Sequence, residues 1–186
     1  MLPSDIWVTS DTHAGHANML KFTNPDGSLC RPGFRDVKHM DEMMVDNWNS
    51  VVHPQAKIYH CGDVAMSNSA FRDFVPRLHG KKRLLLGNHD VLDMGVYMKH
   101  FQKIAVWRQF VDNDVAIVLT HVPIHRGSFL YRFENACANV HGHIHNQLLE
   151  GPYINVCVEH TSYTPLHIDT LFARVRRGFH GEAKTA

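Results

Sequence analysis

What the chain lacks narrows it first. No apolar run approaches the ~18 residues that a membrane-spanning helix needs. The opening stretch, MLPSDIWVTSD, has neither a basic segment nor an apolar one, so no signal peptide is read there. The four cysteines, Cys30, Cys61, Cys137 and Cys157, form no Cys-x-x-Cys pair. That spacing argues against a disulfide framework or a thiolate zinc site, and for free buried thiols in a reducing cytoplasm. Neither sign of charge is in excess: 19 Lys and Arg face 18 Asp and Glu. The balance gives no general reason to expect a nucleic-acid or membrane partner. There is no internal repeat, low-complexity tract or linker, so 186 residues read as one domain, with a basic tail frayed after about residue 178.

Histidine is what the chain has in quantity, 16 in all. Imidazole is the commonest metal ligand and the readiest acid-base group near neutral pH. The excess says where to look.

Periodicity supplies the frame. Ile6 and Val8 mark a first strand that ends at Asp11. The Pro- and Gly-rich stretch 24–34 is a loop. Met40, Met43, Met44, Val45 and Trp48 fall at helical spacing behind a possible cap at Asp36, which predicts a helix over about 37–52 with these residues in the core. KIYHCGD is a second strand; Ser67 can cap a helix to about Val75; KRLLLG is a third strand, apolar enough to be buried on both faces. HGKKR, 79–83, reads as a solvated turn. Further strands are expected around 104–111, at VAIVLT, CANVHG and YINVC, with a hairpin turn at 112–114 and a last helix capped by Asp169. Strands alternate with helices and then hairpins dominate, which implies an α/β fold with mixed sheets.

Polar residues capable of chemistry stand where these strands stop. The first strand runs into Asp11, His13 and His16; the second into Gly62 and Asp63; the third into Gly87, Asn88, His89 and Asp90. VAIVLT runs into His121, and CANVHG into Gly142, His143 and His145. In α/β sheets the carboxyl ends of strands line the crevice where ligands bind. Residues two apart in an extended segment share a side, so Asp11 with His13, and His143 with His145, could aim at one metal region. The glycines allow sharp turns or close backbone approach.

The ordered set Asp-x-His, Gly-Asp, Gly-Asn-His-Asp, lone His and Gly-His-x-His resembles the calcineurin-like metallophosphoesterases. The resemblance implies a four-layer α-β-β-α sandwich of two mixed sheets and a centre of two divalent ions, with manganese favoured over iron, nickel or zinc. It implies one ion on Asp11, His13 and His145, another on Asn88, His121 and His143, and Asp63 bridging them. His89 would be the catalytic imidazole and Asp90 would orient it. His16, Arg31, Arg35 and Arg126 are candidate substrate contacts. The stretch VAMSNS after Asp63 lacks the charge pattern of protein serine/threonine phosphatases. The expected activity is therefore a phosphodiesterase on nucleotides or related small molecules. A phosphomonoesterase on the same site, and a non-catalytic interaction protein on the same fold, stay open.

Overall fold

Two sheets form from the expected strands. In the computed structural model, which describes residues 5–129 and 136–178, β1 (Ile6–Thr9), β2 (Lys57–His60), β3 (Lys81–Leu85) and β4 (Lys103–Ala105) are parallel neighbours in the order β4-β3-β2-β1. The tail read as frayed lies outside the described residues. The short β9 (Leu166–His167) adds antiparallel to β1. The second sheet has the order β5-β6-β7-β8, from β5 (Trp107–Asp112), β6 (Val115–Thr120), β7 (Cys137–His141) and β8 (Tyr153–Asn155). Among the described residues only β5 and β6 form a hairpin, turning at Asn113 with φ 55°; β6-β7-β8 are parallel, so hairpins do not dominate the second half. The stretch expected as one strand near 104–111 breaks at Val106, and its two pieces belong to different sheets.

Helix α1 (Val37–Val51) starts where Asp36 accepts the His39 N–H at 2.7 Å, and α2 (Asn68–Phe74) where Ser67 accepts that of Ala70 at 3.1 Å. Met40, Met44, Val45 and Trp48 are buried, as their spacing requires. Helix α3 (Met94–Met98) is too short for periodicity to reveal. Helix α4 (Ile168–Arg177) is capped by His167, two residues earlier than expected; Asp169 lies in its first turn, and three arginines in its last turn complement the helix dipole.

The layers follow from where the apolar faces go. α1, α2 and α3 pack on one face of the first sheet, around Met40, Trp48, Phe71, Phe74 and Leu84. Val8 and Leu85 of the first sheet meet Ile117, Leu119, Val140 and Ile154 of the second, and α4 inserts Leu171, Phe172 and Val175 into that inter-sheet core. Adjacent Leu84 and Leu85 thus face opposite cores, so the end of β3 is buried on both sides. The second sheet's outer face is covered by Ile124 and Phe129, on either side of a 3-10 turn at Arg126–Ser128. The result is an α/β sandwich of two mixed sheets. Among the described residues no helix is long and apolar enough to cross a membrane.

One buried polar residue makes the core sensitive to acid. His60, at the end of β2, stacks on Trp48 and shares a 2.9 Å hydrogen bond with Thr12 Oγ1. Burial pushes its pKa down to about 3. Between that value and 6.5 the unfolded chain holds a proton that the folded chain does not, so stability rises with pH across this window and is lost on acidification. The contribution is roughly 1.4 kcal/mol for each pH unit below 6.5. We expect His60→Asn to flatten the fall of urea-unfolding free energy between pH 6.5 and 4.5; an unchanged slope would show that His60 does not set it.

Candidate metal centre

The strand ends converge. Asp11 and His13 follow β1, Asp63 follows β2, Asn88 and His89 follow β3, His121 follows β6, and His143 and His145 follow β7. Potential ligand atoms of Asp11, His13 and Asp63 lie within 4.8 Å of one another, as do those of Asp63, His121 and His143. The pairs two apart do share one site, but not through extended backbone. Asp11, His13, Asp63, His143 and His145 all have φ between 47° and 70°. Left-handed backbone is uncommon outside glycine and concentrates at functional sites. Five of the eight non-glycine examples among the described residues fall in this cluster, so the strain is local to it.

Each of the two central carboxylates is half tied and half open. Asp11 Oδ2 accepts from the Ser10 hydroxyl, the His143 N–H at 2.9 Å and the Cys157 thiol at 3.3 Å. Its other oxygen, Oδ1, is buried with no hydrogen-bond partner and lies 3.6 Å from His13 Nε2, which is equally unpartnered. Asp63 Oδ1 accepts the His89 N–H at 2.8 Å; Oδ2 lies 3.6 Å from His13 Nε2 and 3.5 Å from His121 Nε2.

The imidazoles are oriented from behind. His121 Nδ1 donates to the Cys61 carbonyl at 2.8 Å, which leaves Nε2 as a lone pair, 2.8 Å from Asn88 Oδ1. In the neutral imidazole both atoms are acceptors, a pair that suits a shared cation. His13 Nδ1 contacts Met66 Sδ at 3.4 Å and can donate only weakly there, which again turns Nε2 inward. His145 Nδ1 is held by Glu159 at 3.0 Å. Burial by itself would depress His145, but that hydrogen bond and the Glu159 charge hold its pKa above the ordinary value. Burial would likewise raise Asp11, but the neighbouring imidazoles and the Ser10 hydroxyl hold it well below the usual carboxylate range. Buried polar atoms are normally satisfied. A cluster of unpaired carboxylate, imidazole and amide lone pairs therefore fits divalent ions.

His89 is exposed at the rim, its ring 5.5 Å from that of His13. His16 joins the same rim, 5.7 Å from His13 and 5.8 Å from Phe22; burial, then the neighbouring imidazoles, lower its pKa. A pocket of about 240 Å³ adjoins His143 and His145, lined by Phe22, Asn24 and Asn146 among others.

Two expected roles are corrected. Asp90 does not orient the His89 imidazole: its carboxylate accepts the backbone N–H groups of Asp63, Val64 and Gly87 at 2.8–3.1 Å, tying the turn after β2 to the turn after β3. Arg31 is no substrate contact. It is 1% exposed, pairs with Glu159 at 2.7 Å and donates to the carbonyls of Asp11 and Thr12. Cys157 is a free buried thiol, as expected; it borders Asp11 and His145, and burial pushes its pKa far up, so it stays a protonated donor. Arg35 is exposed ahead of α1, and the exposed Arg126 reaches toward Gly151; neither makes a hydrogen bond or ion pair with the cluster. Glu159 has no local signal in the sequence, since it belongs to none of the motifs and meets Arg31 across 128 residues.

No family model matches the chain. An uncharacterized protein of Methanocaldococcus jannaschii, MJ1445, is 31% identical over 184 residues, covering 93% of this chain and 92% of its own. The chain belongs to the family of that archaeal protein. The Gene 66 protein of Mycobacterium phage L5 is 30% identical over 91 residues, 47% of this chain and 40% of the phage protein. Among solved structures, the protein of unknown function AQ665 from Aquifex aeolicus superposes with a TM-score of 0.68 at 25% identity, over 89% of this chain and 98% of its own.

Backbone contact holds the centre together, and glycine permits it. A Cβ on Gly62 would sit 2.5 Å from His121 Nδ1, on Gly142 2.1 Å from Asp11 Oδ2, and on Gly87 2.3 Å from Asp63 Oδ1. Gly87→Ala must displace Asp63 or the turn that carries Asn88. We expect a loss of about 1–3 kcal/mol in urea unfolding, together with weaker manganese binding by calorimetry. Wild-type stability and affinity in the variant would contradict the packing described.

Proposed function

We propose that this protein is a metallophosphoesterase of the calcineurin-like type, a dinuclear-metal-dependent phosphodiesterase acting on nucleotides or related small phosphoesters. The observation that carries the reading is Asp63 Oδ2, at nearly equal distance from the Nε2 atoms of His13 and His121. One carboxylate oxygen there serves two groups of lone pairs. Asp11, His13 and His145 would hold one ion, Asn88, His121 and His143 the other, with Asp63 between them. The mixed imidazole, carboxylate and amide donors suit Mn, Fe, Ni or Zn, and we assign manganese. When bound, two such ions neutralise phosphoryl oxygens and make water a nucleophile at neutral pH.

The chain's own groups do the rest. Glu159 fixes the ring of His145 from behind, and Arg31 balances the buried Glu159 charge. Asp90 fixes the turn that presents Asn88 and His89. His89 donates its backbone N–H to Asp63 while its exposed imidazole is free to protonate a leaving alkoxide as a general acid. His16 stands where the organic part of a substrate would leave the centre. The neighbouring pocket offers the Phe22 ring and the amides of Asn24 and Asn146, a neutral lining suited to a base or sugar.

Manganese-loaded protein is expected to hydrolyse bis-p-nitrophenyl phosphate faster than p-nitrophenyl phosphate; the reverse order would favour a monoesterase, and no turnover of either a binding role. His89→Ala should keep both ions, because Asn88 and not His89 faces His121. It should lose kcat/KM within about 10²–10⁴-fold on an alkyl or nucleotide ester, and much less on a nitrophenyl ester, whose leaving group needs no proton. Equal losses on both esters, or loss of metal, would remove the general-acid role.

A further inference from the structure

A second cavity, of about 450 Å³, lies away from the metal centre, between the edge strand β4 of the first sheet and the edge strand β5 of the second. Ile6 and Lys57, the first residues of β1 and β2, line it, whereas the metal-centre residues follow the last residues of those strands. Tyr59, Arg83 and Lys103 are register partners across β2, β3 and β4, so their side chains stand in one row on one face of the sheet. Lys57 shares that face, two residues before Tyr59. Arg108, on the same face of β5 as Phe110, and its strand neighbour Trp107 line it from the second sheet. The stretch HGKKR, expected as a solvated turn, in fact delivers Arg83 into this groove from within a strand.

The groove has one sign of charge. It is lined by Lys57, Arg83, Lys103 and Arg108 and by no acidic residue, and none of the four has a carboxylate partner among the described residues. In a chain whose net charge is only +1, four unpaired cations in one groove repel one another unless an anion joins them. They alternate with rings. Arg83 lies over Tyr59 at 5.5 Å and Arg108 over Phe110 at 5.0 Å, which presets both guanidinium groups; Trp107 is 56% exposed. Two strand spacings and two residues separate Lys57 from Lys103, about 12 Å of sheet. That spread suits a run of phosphates better than a single one.

We propose that this groove binds single-stranded nucleic acid, with backbone phosphates along Lys57, Arg83, Lys103 and Arg108 and an unstacked base on Trp107. Interleaved cations and exposed rings are how sequence-tolerant single-strand sites work. A duplex keeps its bases stacked and cannot use the tryptophan. The proposal does not depend on the metal centre being an esterase.

The test is fluorescence anisotropy of a labelled oligothymidylate of about 12 nucleotides, with EDTA present so that no strand is cut. Affinity should fall with salt, the slope of log K against log salt lying near −3, about −0.7 for each of four phosphates. The double change Lys103→Gln, Arg108→Gln should reduce that slope by about 1.4. Trp107→Ala should weaken binding about tenfold or more and leave the slope alone. Inorganic polyphosphate of matched charge, and a duplex of the same length, should bind more weakly. All three substituted residues are exposed, and unchanged thermal melts check that the variants are folded. Absence of salt-dependent binding, binding indifferent to these variants, or polyphosphate or duplex binding as tightly as the single strand would overturn the proposal.

Discussion

The structure turns on an unfavourable concentration of lone pairs. His13 Nε2 lies 3.6 Å from both Asp11 Oδ1 and Asp63 Oδ2, His121 Nε2 lies 3.5 Å from Asp63 Oδ2, and Asn88 Oδ1 adds another acceptor. Burying two carboxylates side by side is costly unless positive charge joins them. The chain supplies some of that charge through the fully buried Arg31, but its guanidinium is directed at Glu159 and at backbone carbonyls, not at the open oxygens. The fold thus satisfies the back of each ligand and leaves its front without a partner. That asymmetry is what preorganised metal sites require: outer contacts fix tautomer and direction, and the ion completes the inner set.

Packing makes the arrangement stiff. The first sheet is gripped between a helix layer and the second sheet, so the ends of β1, β2 and β3 are held on both sides. Asp90 then ties two of the emerging turns with three backbone hydrogen bonds, and Gly62, Gly87 and Gly142 let neighbouring segments approach closer than any side chain would allow. Five residues in left-handed backbone store strain at the same place, held by this surrounding structure. Rigidity is concentrated at the centre. The cationic groove lies instead along edge strands, where Trp107 stays exposed and adaptable.

Much of this is legible in the order of the residues alone. The order of the motifs and their position after apolar strands brought Asp11, His13, Asp63, Asn88, His121, His143 and His145 to one place, because strand ends in a parallel sheet share a rim. The α1 core and the caps at Asp36 and Ser67 followed from local periodicity and local hydrogen bonds. What stayed illegible depends on contacts that no short window contains. Arg31 reads as a loop arginine until Glu159, 128 residues away, takes its charge. Asp90 beside His89 suggests a partner in sequence, whereas its oxygens reach backbone 26 and 27 residues earlier. Cys157 matters because of Asp11, 146 residues away. The break at Val106 has no signal of its own, since both pieces have strand propensity and only the tertiary fold assigns them to different sheets.

The proposed dinuclear centre puts Asp63 between two metal ions. Anomalous diffraction from crystals grown with manganese tests it most directly. Two peaks should flank Asp63 Oδ2, one beside Asp11 and His13 and the other beside Asn88, His121 and His143. A single peak that leaves either group without an ion, or peaks that bypass Asp63, would contradict it.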